Sequence, residues 1–150
     1  MATFRAHYTK AIKSEAVFEA TPDTSSTYVV GDFIYFDTST QTMKKCGADP
    51  SLIAAVSEVN STDADDLTEN GKVPYRALQT TDVLAMCSTS TPTAANVGVA
   101  YGIVNTGGVW KVDFTDTSNT RVFVLDFDSG TETVYVRPMA ANLQFDGIAS

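Results

Sequence analysis

Apolar residues in this chain recur at every second position or in short unbroken runs, and stretches rich in Thr, Ser, Asp and Gly separate them. The pattern is clearest in the second half. Residues 97–104, Val109-Trp110-Lys111-Val112-Asp113-Phe114, residues 121–127 and residues 132–137 are dense in β-branched and aromatic types and read as strands. Asn105-Thr106-Gly107-Gly108, residues 115–120 and Asp128-Ser129-Gly130-Thr131 supply turn chemistry between them. Strand, turn and strand three times over predicts a β-meander. In the second of these strands a period of two sets Trp110, Val112 and Phe114 on one face and Lys111 and Asp113 on the other, which puts Trp110 in the core.

Upstream, residues 15–20 alternate, and Tyr28-Val29-Val30 followed by Gly31-Asp32-Phe33-Ile34-Tyr35-Phe36-Asp37 is apolar on both faces. Such a strand is covered on both sides or set in a barrel wall. Thr38-Ser39-Thr40-Gln41 is a polar turn, so residues 42–46 are expected to return antiparallel as a hairpin. Asp49-Pro50-Ser51 before the run 52–56 admits a helix start or a buried strand; one short helical turn and then a strand over 56–59 reconciles the two. Residues 60–71 read as an exposed acidic loop, residues 73–78 and 83–87 as strands, with Pro74 marking an edge or a strand start. A second polar loop covers residues 88–96. No fixed-period repeat or long helical stripe appears. The expected fold is all-β: a small β-barrel, β-tulip-like or sandwich domain with a C-terminal β-meander and long polar loops.

Length and charge narrow this picture. With 150 residues the chain suits one domain, here residues 15–150 as a single β domain behind an N-terminal arm, residues 1–14. A 43% hydrophobic and 10% aromatic composition excludes a disordered acidic tail. The formal net charge of -8 argues against nucleic acid as a partner, because phosphate affinity rests on Lys and Arg. No apolar run is long enough to span a bilayer and the start lacks a secretory hydrophobic segment, so no membrane is expected and synthesis is expected in a cytoplasm.

Candidate chemistry is sparse. Cys46 and Cys87 form no metal-spaced pair and are expected as packed, reduced thiols. His7, the single histidine, reads as a surface or interface residue rather than a catalytic one. Residues 126–132 depart from a calcium loop, with Gly fifth inside a hairpin, and Asp63, Asp65 and Asp66 read as a solubilising loop. No nucleophile elbow, phosphate-binding loop, zinc motif or dinucleotide fingerprint occurs. The expectation is no enzyme, no metal and no cofactor. What stands out is the first ten residues, where Phe4, Arg5, His7, Tyr8 and Lys10 make an aromatic and basic segment in an acidic chain. An arm that docks on a partner, an edge strand and a partly disordered chain start all fit it.

Residues 31–37, the polar turn and residues 43–49 leading into 52–59 resemble the opening hairpin of capsid decoration (cement) proteins of tailed bacteriophages. Residues 73–78, 97–102 and 141–149 are similar as well, so the resemblance spans most of the chain without resting on a diagnostic motif. It implies a virion structural protein, made in the bacterial host cytoplasm, that binds the capsid exterior at joints between capsomers and stabilises the expanded shell. It also implies a homo-oligomer, dimer or trimer, with the major capsid protein as partner and no catalytic residue. The implied capsid contacts are the arm residues Phe4, Arg5, His7, Tyr8 and Lys10 and the loop 63–70. The alternative is a carbohydrate-binding β module of a phage fibre or adhesin. That site needs an exposed aromatic platform, and Trp110, the obvious candidate, falls on the core face.

Overall fold

Alternation in Phe33-Ile34-Tyr35-Phe36 places successive side chains in two different cores, and the architecture follows from that division. Phe33 and Tyr35 face one cluster of apolar side chains, and Ile34 and Phe36 face another. The computed structural model describes residues 7–8, 17–63 and 71–146. Their strands are β1 (His7–Tyr8), β2 (Val17–Pro22), β3 (Phe33–Asp37), β4 (Thr42–Lys45), β5 (Ala55–Val56), β6 (Val73–Arg76), β7 (Leu84–Ser88), β8 (Ala100–Thr106), β9 (Val109–Asp113), β10 (Val122–Asp128) and β11 (Thr133–Pro138). Short 3-10 turns at Ser61–Asp63, Ala94–Asn96 and Ala140–Asn142 are the helical content of the described residues, so the all-β expectation holds.

The second half forms a barrel. Strands β7, β11, β10, β8 and β9 pair in that order, and β9 returns to β7 in parallel through Cys87↔Lys111 and Ser88↔Val112. Leu84, Met86, Trp110, Val112, Val124 and Val134 are among the side chains that fill it. Burying each large apolar side chain contributes about 1.5–3 kcal/mol, so this interior carries most of the driving force. Trp110 and Val112 are buried, and Phe114 packs edge-on against Tyr101 with ring centroids 5.0 Å apart, as the alternation required.

The first half forms a sheet ordered β5-β3-β4-β2-β6, antiparallel except between β2 and β4. It curls around its own core, because the Leu78 N–H donates to the Ala54 carbonyl at 2.8 Å and draws the chain after β6 toward β5. Tyr28 and Tyr75 meet hydroxyl to hydroxyl inside this core, and burial pushes both phenols above their ordinary range. The outer face of β3 lies on the barrel, where Phe33 meets Trp110 edge-on at 5.1 Å. Arg121 reinforces the junction by donating to the Pro50 carbonyl and reaching Asp49 at 3.5 Å.

Turn chemistry works as the sequence demands. Gly107 and Gly108 both have positive φ, 61° and 83°, the two-residue turn that matches strand twist. The β3–β4 and β10–β11 loops are one design written twice, Phe36-Asp37-Thr38-Ser39-Thr40-Gln41-Thr42 and Phe127-Asp128-Ser129-Gly130-Thr131-Glu132-Thr133. In each, the Asp accepts from the N–H two residues on at 2.9 Å, and the fourth loop residue is left-handed, Gln41 at φ 58° and Glu132 at φ 53°.

Four expectations need correction. The turn over 115–120 does not form a hairpin: the order is β9-β8-β10-β11, because β9 leaves β10 to close on β7. Its connection crosses β8 at Gly102, whose N–H donates to the Asp116 carbonyl at 2.8 Å. A Cβ there would stand 2.8 Å from the Asp116 Cγ. Gly102→Ala is therefore expected to lower stability by about 1–3 kcal/mol, read as a lower urea midpoint; an unchanged midpoint would mean the crossing loop is free to lift. The second correction is at residues 50–59, where no helical turn forms and β5 is Ala55–Val56. There the backbone is taken by distant partners: Ile53 N–H by the Asn142 carbonyl and Ala54 N–H by Ile34, both at 2.8 Å. Third, residues 28–30 are not strand, because Asp32 closes a turn by accepting from the Val29 N–H at 2.9 Å. Last, β8 begins at Ala100 rather than 97, after Gly98 at φ 80° donates to the Val124 carbonyl.

Candidate functional site

Strand β7 determines where His7 and Tyr8 come to rest. Leu84-Ala85-Met86-Cys87 is an unbroken apolar run, a pattern that needs cover on both faces, and all five residues of β7 are buried. One edge of β7 is taken by β11 from Leu84 to Cys87. The other edge is divided: β9 pairs at Cys87 and Ser88, and β1 pairs antiparallel at Ala85 and Leu84. His7 lies opposite Ala85 and Tyr8 opposite Leu84. Of the arm residues singled out by sequence, the fold brings His7 and Tyr8 to this seam of the barrel. Phe4, Arg5 and Lys10, with the rest of the arm 1–14, lie outside the described residues. In the loop 63–70, Asp63 closes a 3-10 turn and accepts from the Asn60 amide at 3.0 Å, and residues 64–70 lie outside the described residues.

Two carboxylate clusters were not apparent from sequence. At the β2–β4 junction Lys44 Nζ stands 2.7 Å from Asp37 and 3.7 Å from Asp23. Asp23 also accepts from the Ser25 hydroxyl and N–H, the Ser26 N–H and the Thr42 hydroxyl, and these donors hold its carboxyl well below the usual range. Asp37 is held low by Lys44 and Ser39, and Asp37 in turn raises Lys44. Every strong partner is already within the fold, so the cluster acts as a clamp. Because the unfolded chain takes up these protons near pH 4, the clamp contributes fully above that pH and is lost as pH falls further. The urea midpoint is expected to decline below about pH 4, and Asp37→Asn to flatten that decline; parallel pH profiles for the two chains would exclude the clamp.

The other cluster lies between the two cores. Asp32 is 1% exposed and accepts from the Trp110 indole N–H at 3.0 Å and the Val29 N–H at 2.9 Å, with Lys45 Nζ at 3.2 Å. The signal in sequence was an acidic residue inside the apolar run 28–36, but nothing local names its partner 78 residues away. Beside it the Cys46 thiol is buried and pushed far up, first by burial and then by the Asp32 charge, so it is a poor nucleophile. Cys46 and Cys87 are both free thiols.

Surface concavities are shallow in chemistry. A cleft of about 480 Å³ runs beside β6, lined by Glu19, Glu58, Val59, Pro74, Tyr75 and Arg76 among others, with Arg76 3.4 Å from Glu58. Among the described residues no three His, Cys, Asp or Glu side chains group as metal ligands, and no helix is long and apolar enough to cross a membrane. The Asp126–Glu132 region is a hairpin turn. The fold and site together define a double β module, a nearly closed, barrel-like sheet joined to a curled sheet, with strand β1 at the barrel seam. No protein family model, no curated protein and no solved structure matches the chain.

Proposed function

We propose that this chain is a capsid decoration protein: a virion structural protein that binds the exterior of an expanded phage shell at capsomer joints and stabilises it. The observation that carries the reading is that His7 and Tyr8, two residues of the aromatic and basic N-terminal sequence, engage by strand pairing at a sheet edge. That mode of contact suits attachment to another protein's sheet, where backbone bonds give affinity and flanking Phe4, Arg5 and Lys10 add anchors and charge. The remaining chain is more acidic still than the net charge of -8, so the arm and the body carry net charge of opposite sign. Binding to the expanded shell alone stabilises it by mass action, and an oligomer that grips several subunits gains further through effective concentration. Trp110, which a glycan site would have needed exposed, is buried against Phe33 and Asp32.

The test is co-sedimentation with expanded shells of the phage that encodes the chain, using the full chain and a Phe4→Ala/Arg5→Ala/Lys10→Ala variant. The full chain is expected in the shell pellet, with electron-microscopy density at capsomer joints, and the variant at least about tenfold depleted. A full chain that stays in the supernatant overturns the reading, and a variant that pellets equally well removes the arm from it.

A further inference from the structure

We infer that the edge of β7 at Leu84–Ala85 is a strand-acceptor site that a second copy of this chain fills with its own His7–Tyr8, so that copies associate by exchanging β1. The acceptor is defined by closure of the barrel. Strand β9 reaches β7 only at Cys87 and Ser88, which leaves the preceding half of the same edge to β1. Leu84 and Ala85 are buried there, at 0% and 5% exposure, so the edge that β1 covers borders the apolar interior. A bare edge next to an apolar run is a site for pairing with another chain.

Nothing in the pairing requires that strand to come from the same chain. The β1–β7 ladder is two residues long, His7↔Ala85 and Tyr8↔Leu84, so few backbone bonds hold it and local opening is inexpensive. Eight residues, 9–16, separate β1 from β2. Extended, that connection reaches roughly 30 Å, enough to hand β1 to a neighbour. Exchange remakes the same contacts, so its balance is set by concentration and linker reach rather than by new complementarity. Charge favours the neighbour: a segment carrying Arg5 and Lys10 is offered to a second body that is strongly acidic.

The inference does not rest on capsid binding, and its test uses no shells. Light scattering of the unmodified chain is expected to give an average mass that rises over a roughly hundredfold range of concentration. A synthetic peptide of residues 1–10 in excess is expected to return that mass to one chain. A His7→Cys chain and a differently tagged Ala85→Cys chain, refolded together and oxidised, are expected to yield a mixed disulfide dimer, because these positions face each other in register. A chain that stays monomeric throughout, or an oligomer indifferent to the peptide, overturns the exchange, whatever the cysteine variants do.

Discussion

Replacing Asp32 by Ala is expected to destabilise the chain by about 2–4 kcal/mol in urea unfolding at neutral pH. The size follows from what the carboxylate leaves behind. The Trp110 indole N–H donates to it from a buried position, the Val29 N–H donates from the exposed turn, and Lys45 balances its charge. An unsatisfied buried donor costs about 1–3 kcal/mol, which the Trp110 N–H would become, and the charge-assisted bonds from Val29 and Lys45 are lost with it. Asp32→Asn retains one acceptor oxygen but turns an amide toward N–H and ammonium donors, so it is expected to fall between Ala and the native residue. Pairing Asp32→Ala with Trp110→Phe isolates the contact: the double variant should lose clearly less than the sum of the two singles. Strict additivity would mean that the Trp110 to Asp32 bond does not couple the two cores.

Ending the chain after Asn142 is expected to cost about 4–6 kcal/mol, close to the whole stability of an ordinary domain. Three consecutive residues explain this. Leu143 is buried in the barrel-side core and pairs in parallel with Ile53. Gln144 reads both sides of one peptide, its Oε1 accepting from the Phe36 N–H at 2.8 Å and its Nε2 donating to the Phe36 carbonyl at 2.7 Å. Phe145 packs on Phe18 at 4.8 Å and closes the other core. The segment thus straps both cores, and its removal should lower the unfolding midpoint sharply and split the transition seen by Trp110 fluorescence from that seen by far-ultraviolet circular dichroism. Asp146→Ala, which removes only an exposed acceptor for Thr80, should change little. A truncated chain with a native midpoint would show that the strap is incidental.

Both expectations concern contacts that no local pattern announces, and the contrast with what was legible is instructive. Alternation through Trp110, Val112 and Phe114 was enough to assign their face, because side chains in a strand change sides at every residue whatever the neighbouring strand is. The run over 33–36, apolar on both faces, called for cover on both sides or a barrel wall for the same reason, and the fold sets a core on each side of it. Gly107-Gly108 located its hairpin because consecutive positive-φ positions select Gly, and Asp128 located the next because its carboxylate accepts a turn N–H, whereas the loop 115–120, expected as a third, forms none. The aromatic and basic types at Phe4 to Lys10 marked a segment of unusual chemistry and admitted an edge strand, and for His7 and Tyr8 the partner strand β7 emerged only with the fold.

What the sequence by itself determined is therefore the strand class, the inward faces and the tight turns, all products of chain geometry within a few residues. The tertiary structure alone decided which edges meet. Period two is identical for a strand that pairs with its successor and for one that crosses over, so the crossing at Gly102 and the parallel closure of β9 on β7 left no periodic trace. The partners of Asp32 and Gln144 were hidden for a related reason. A buried polar group must be satisfied, but the requirement specifies a donor or acceptor and not its place in the chain; only packing brings residues 78 and 108 positions apart into contact.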